Sequence, residues 1–221
     1  MHRILLPCII LASLILPAGG AEAQVWFSDA QNLAADAWDG LLAPDSLVAR
    51  IDQDLALIRA HTPAVLNIHY SCMQGTNGEV GLCMDSTAKV LFIHGMHEEM
   101  NALHASLGQP VIENSLDCWL HLRFSKPYKP TALIELHERI TGVRYAYRLS
   151  PCAGDGNTLQ LLNDRTYQFS RRWGDDCPCG CAHGHVWIFR LSGGFVDLLA
   201  EYGDDAPVKR ISWGALRSLY K

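Results

Sequence analysis

The chain has 221 residues, 49% of them hydrophobic and 19% charged, a balance that excludes a disordered chain. Eighteen Lys and Arg against 23 Asp and Glu leave a formal charge of −5, which argues against a nucleic-acid binder. The length suits one domain or two small ones.

Met1-His2-Arg3 is a short basic start, followed by thirteen uncharged residues from Ile4 to Leu16 and then Pro17, Gly19, Gly20 and Ala21-Glu22-Ala23. A basic end, a short apolar core and small residues at an A-x-A site make a secretory signal peptide, with cleavage predicted after Ala23. The apolar run is too short to cross a hydrocarbon core about 30 Å thick. Cys8 lies inside that run and not after the small residues, which argues against a lipid anchor. No later stretch is long and apolar enough to span a membrane. The expected destination is secreted or periplasmic.

Ser28 with Gln31 marks a helix start, and Leu33, Ala37, Trp38 and Leu41 recur after it. Asp45 caps a second helix whose Leu47, Val48, Ile51, Leu55 and Ile58 form one stripe ahead of Pro63. Val65–Tyr70 reads as a strand entering an Asn77-Gly78 hairpin, and Lys89–His94 as another strand. His97–Leu107 reads as a helix stopped by Gly108, with Met96, Met100, Leu103 and Leu107 on one face. Leu116–Phe124 is a strand. Thr131–Thr141 is a helix burying Leu133, Leu136 and Ile140, stopped by Gly142. Val143–Leu149 is a strand. Strand, helix, strand with short connections predicts a βαβ unit with parallel strands. Beyond Pro151, Thr158–Leu162, Tyr167–Arg171, Val186–Leu191 and Phe195–Leu199 are short strands, the last two joined at Ser192-Gly193-Gly194. Ser212 opens a final helix with Trp213, Leu216 and Leu219.

The fold class expected is α+β: N-terminal helices, a mixed sheet containing the βαβ unit, and a small C-terminal antiparallel sheet. The segments divide as signal peptide 1–23, helical segment 24–63, mixed α/β region 64–150 and Cys-rich β region 151–221, with 64–221 able to form one domain.

Removing Cys8 leaves seven cysteines: 72, 83, 118, 152, 177, 179 and 181. An oxidising compartment favours disulfides, and the odd number leaves one thiol over. A two-residue turn at Asn77-Gly78 places Cys72 opposite Cys83, which predicts that pair. Cys118 with Cys152 is the second pairing expected, both lying near strand ends.

Residues 177–185 hold Cys177, Cys179, Cys181, His183 and His185 at alternate positions, which share a face of an extended chain. Thiolates with imidazoles suit Zn(II) or Cu(I), so these five are a candidate metal site. The competing reading closes Cys177 with Cys181 as a small staple and makes His185, Trp187 and Phe189 a buried sheet face. Cys179, with Arg171, Arg172 and His183 close in sequence, is then a candidate activated thiol.

Trp173-Gly174 with Asp175 or Asp176, then Cys177-Pro178-x-Gly180-Cys181 and His185-x-Trp187-x-Phe189, resembles a motif of a family of secreted bacterial proteins that has no assigned activity. Gly142-Val143-x-Tyr145-Ala146 and Gly154-Asp155-Gly156-Asn157 match the same pattern, which covers residues 116–200. The resemblance implies export and architecture but no reaction. The chain departs from the motif by an extra Asp and by Cys179.

His94-Gly-Met96-His97-Glu98-Glu99 is not H-E-x-x-H, and Asp155-Gly156-Asn157 lacks the carboxylates of an EF-hand. No G-x-S-x-G, Walker loop or Rossmann fingerprint occurs. The function expected is a secreted, disulfide-stapled module that binds a protein or surface partner without catalysis. The alternatives are a Zn- or Cu-binding protein using 177–185 and an enzyme with an activated Cys179. Neither nucleic acid nor a membrane span is expected.

Overall fold

A computed structural model describes residues 27–71, 76–149, 156–174 and 181–204. The signal-peptide pattern, the helix expected after Ser212, and Cys72, Cys152, Cys177 and Cys179 lie outside them.

Helix α1 (Asp29–Ala37) begins where the Ser28/Gln31 pattern places it. Gln31 N–H donates to Ser28 Oγ at 3.2 Å, and Ser28 N–H donates to Gln31 Oε1 at 2.8 Å. Two N-terminal donors of the helix end are satisfied reciprocally. Ser28→Ala should therefore cost about 1 kcal/mol, read as a lowered thermal midpoint. Helix α2 (Asp45–His61) buries Ile51, Leu55 and Ile58 as its stripe predicts. Its cap is Pro44, and Asp45 is its first residue.

Val65–Tyr70 is not a strand. Pro63–Val65 is a 3₁₀ turn, and Leu66 and Ile68 donate three residues back at 3.1 Å each. The segment is held to α1 by Asp29, which accepts from Arg59 (2.6 Å), His69 Nδ1 (2.9 Å) and the Tyr70 amide (2.7 Å). Burial works against the Asp29 charge, but those donors outweigh it and hold the carboxyl below its ordinary range.

The middle of the chain runs β1 (Glu79–Met84), α3 (Ser86–Ile93), α4 (Glu98–Leu107), β2 (Val111–Leu116), β3 (Trp119–Arg123), α5 (Pro130–His137) and β4 (Val143–Tyr147). The sheet order is β2-β3-β1-β4, and every neighbouring pair is antiparallel. The sheet is thus antiparallel, not mixed. Because β1 lies between β3 and β4, those two run parallel without touching. Order and connectivity are those of a split βαβ, ferredoxin-like sheet. Val80, Leu82 and Met84 point to one face, where they pack with Leu120, Leu122, Met100, Leu107 and Leu133.

The strand expected at Lys89–His94 is helix α3. Asp85 accepts from the Ala88 amide at 2.7 Å as its cap. Only Ala88 and Phe92, four apart, are buried, while Val90 and Ile93 are about half exposed. The apolar run imitates a strand, but its buried residues have helical spacing. The strand expected over Leu116–Phe124 is broken at Asp117-Cys118, where Asp117 takes a φ of 48° and turns β2 into β3.

That turn also overturns both cysteine pairings. Cys83 joins Cys118, with Cα atoms 4.8 Å apart. β1 has β3 on one side and β4 on the other, so residues 65–70 have no edge of β1 to pair with. The turn brings Cys118 beside the end of β1, where the Met84 amide donates to the Cys118 carbonyl at 2.9 Å. Cys118 is therefore not available to Cys152.

The last sheet has the order β5 (Thr158–Asn163), β6 (Thr166–Trp173), β7 (His183–Ser192), β8 (Phe195–Gly203), all antiparallel. Gly193 and Gly194, with φ of 57° and 84°, form the β7–β8 turn. Leu159, Tyr167, Phe169, Trp187 and Phe189 share a core with Ala30, Leu33, Ile51, Leu55 and Ile58 of the two first helices. The N-terminal helices and the C-terminal sheet are thus one packing unit, interrupted by residues 79–147. A composition-based division at 63/64 and 150/151 separates segments that share a core.

Candidate functional site

The interruption makes a cleft. Helix α1 and strand β5 belong to one unit, while the start of α5 and the end of β4 belong to the other. Between them lies a cavity of about 750 Å³ whose polar wall comprises Asp36, Lys129, Thr131, Arg148, Thr158 and Gln160, with Leu33 and Leu161 as apolar floor. Helix α5 opens onto it at Pro130 and Thr131, and no side chain caps that end. Pro130 has no N–H, so the Thr131 amide and the positive dipole end add to Lys129 and Arg148.

Lys129 is positioned by its backbone and its side chain together. Its amide donates to the Leu41 carbonyl at 2.9 Å, and its Nζ donates to the Trp38 carbonyl at 2.6 Å. Asp36 accepts from the Tyr70 hydroxyl at 2.7 Å. Burial raises the Asp36 carboxyl above its ordinary value despite that bond and despite the nearby Arg148 and Lys129 charges. Burial and the Asp36 carboxylate raise the Tyr70 phenol, so it remains a donor at neutral pH. Asn77 ties the same corner together, donating to the Asn32 carbonyl at 3.1 Å.

The predicted 177–185 cluster is only partly within the described residues. Cys181 is disulfide-bonded, so it has no thiolate to offer a metal. His185 is buried and stacks on Trp187 with centroids 4.0 Å apart. Its Nδ1 lies 2.9 Å from the Asp204 carbonyl and its Nε2 lies 3.1 Å from Glu201 Oε1. Both nitrogens lie within hydrogen-bond distance of protein oxygens. Trp187 Nε1 donates to the same Glu201 oxygen at 3.1 Å. His183 Nδ1 is 3.1 Å from Asp204 Oδ2, and its ring stacks on Trp173. The disulfide removes Cys181 from the five-residue metal set. The hydrogen-bonded core reading of His185 is the one observed.

A different set of metal-type donors stands on the first sheet. Glu79 on β1, Glu113 on β2 and His121 on β3 each place one donor atom within 4.8 Å of the other two. Sequence reading missed this group and the cleft alike. A visible signal was parity: Glu79 and His121 alternate with core residues on two strands and so fall on the face away from the core.

Comparison with family models, with curated proteins and with solved structures finds no match.

Proposed function

We propose that the protein is an exported, disulfide-stapled binding module whose ligand is a small organic anion held in the cleft between its two packing units. The observation that carries this reading is the convergence of Lys129, Arg148 and the uncapped start of α5 on one cavity of ligand size. A pocket of this size with a few converging polar groups is the ordinary form of a small-molecule site. Oriented amides at a helix start with two cations beside them favour a carboxylate or phosphate. Asp36 and Gln160 on the facing wall suit hydroxyl or amine donors on the rest of the ligand.

Export is supported by the signal-peptide pattern, by Cys83–Cys118 and by the oxidised state of Cys181. Among the described residues, no helix is long and apolar enough to cross a membrane.

Calorimetric titration of the oxidised protein against a panel of small carboxylates, amino acids and phosphate esters tests the reading. At least one should bind saturably, with affinity falling as salt rises. Arg148→Gln and Lys129→Gln should each weaken it about tenfold while leaving the unfolding midpoint within a degree or two. Each lost charge contact of this kind is worth about 1.5–3 kcal/mol. Uniform failure of the panel, or full affinity in both variants, overturns the assignment.

A further inference from the structure

The second group of donors does not belong to the cleft. Glu79 and Gly81 of β1 alternate with Val80 and Leu82, whose side chains fill the core, so Glu79 stands on the opposite face. His121 stands on the same outer face of β3, opposite Gly81 in register. Glu113 falls in the bulge of β2, where Ile112 pairs with Leu122 and Asn114 pairs with His121. The bulge inserts Glu113 as an extra residue, a device that re-aims a side chain.

His121 is flanked by carboxylates at both ring nitrogens. Its Nδ1 is 3.2 Å from Glu113 Oε2, and its Nε2 is 3.4 Å from Glu79 Oε2. Its Nε2 is buried, and the group that faces it is the Glu79 carboxylate. The buried Thr76 Oγ1 lies beside the same carboxylate and hydrogen-bonds to it. On the far side, Arg123 Nε lies 2.8 Å from Glu113 Oε1 and steadies that carboxylate. The order along the face is Arg123, Glu113, His121 and Glu79. A carboxylate on one nitrogen of an imidazole is what fixes the tautomer when the other nitrogen binds a metal.

We propose that Glu79 and His121 Nε2 bind a divalent transition-metal ion of the zinc class, with Glu113 steadying the imidazole from Nδ1. Mixed imidazole and carboxylate donors suit Zn(II). Arg123 on Glu113 Oε1 leaves Oε2 facing His121. The three side chains stand on adjacent hydrogen-bonded strands, so little ordering is left to be done on binding.

The proposal is independent of the anion cleft, and its test uses a different ligand. Oxidised protein freed of metal with a chelator is titrated with zinc by calorimetry and with cobalt by visible spectroscopy. One zinc ion per chain is expected, and the cobalt adduct should lack thiolate charge-transfer bands, which separates this site from the cysteine-rich stretch. Glu79→Gln and His121→Gln should each lower zinc affinity by at least about tenfold. Their unfolding in chelator should match that of the unaltered chain. Should either variant fail to fold, the ring ¹⁵N resonances of the unaltered protein serve instead: zinc should shift His121 Nε2 far more than any other histidine nitrogen. Absence of stoichiometric binding, undiminished affinity in both folded variants, thiolate bands, or an unmoved His121 Nε2 would each overturn the proposal.

Discussion

Replacing Asp54 with alanine should lower the unfolding free energy by about 3 kcal/mol, one of the two largest single effects expected in this protein. Asp54 is fully buried in α2. It accepts from Arg165 through Nε (3.1 Å) and Nη2 (2.5 Å), and from the Tyr167 hydroxyl at 2.7 Å. Arg165 occupies the β5–β6 turn in a left-handed conformation, φ 57°, so its guanidinium is delivered by a backbone most residues avoid. The pair fastens α2 to that turn. Alanine leaves the Arg165 charge to find water, which its 31% exposed side chain allows at moderate cost. It also leaves the Tyr167 hydroxyl buried with no acceptor, and the desolvation of that group is not recovered. Tyr167→Phe removes one bond and should cost about 1 kcal/mol. The double variant should cost less than the two singles added, because the groups share one network. Urea midpoints for the four proteins check this. An Asp54→Ala cost below about 1 kcal/mol would mean that the network does not anchor the helix.

Asp54 was also legible and overlooked. It stands three residues after Ile51 and one before Leu55, inside the stripe that the periodicity marks as buried. A carboxylate there needs a buried partner. What the sequence does not reveal is which cation, because Arg165 is more than a hundred residues away. The same distance hides the cleft. Asp36, Lys129, Arg148 and Gln160 come together only because the N-terminal helices pack on the last sheet and leave residues 79–147 as an insert. Local signals fared better. The Ser28/Gln31 cap, the α2 stripe, the Gly108 stop and the Gly193-Gly194 turn each act within a few residues, and each appears where its pattern lies.

The failures have particular causes. Strand β2 is exposed along its whole length at the edge of its sheet, so it carries no alternation to read. Helix α3 is an apolar run with an exposed outer side, and composition alone reads it as a strand. The Cys72–Cys83 pairing rested on a hairpin at Asn77-Gly78. Gly78 does take a positive φ of 75°, but its amide donates to the Tyr128 carbonyl at 2.7 Å and its own carbonyl accepts from Phe124 at 2.8 Å. The turn residue was legible; the strands that it joins were not.

The second large effect concerns acid. Lowering the pH from 7 to 4.5 should cost the fold on the order of 3 kcal/mol through one buried histidine pair. His137 Nδ1 donates to the Leu133 carbonyl at 2.7 Å, so its Nε2 is bare and acts as an acceptor. His104 Nε2 lies 3.1 Å from it and must carry the donated proton. His104 Nδ1 is then unprotonated, and it is buried with no partner. Phe92 and Phe124 stand edge-on to the His104 ring at 5.5 and 5.6 Å. Burial, then the neighbouring His137, pushes His104 down to about 4. Burial also lowers His137, against the bond to Leu133. In the unfolded chain both titrate near 6.5. Between those values the unfolded chain binds more protons than the folded one, so stability falls as pH falls through this range and levels off near pH 4. Asp29 and Glu79 have folded values below their ordinary ones, 3.8 and 4.5, so their contributions hold above those values and are lost only at lower pH. Asp36, whose carboxyl burial raises, acts in the opposite sense, so a loss of stability between pH 6.5 and 5 is assigned to the histidines. Urea midpoints measured at half-unit intervals should show a slope there, and His104→Phe with His137→Leu should flatten it. A limb that is already flat in the unaltered protein, or equally steep without the pair, would show that these imidazoles do not carry the acid sensitivity.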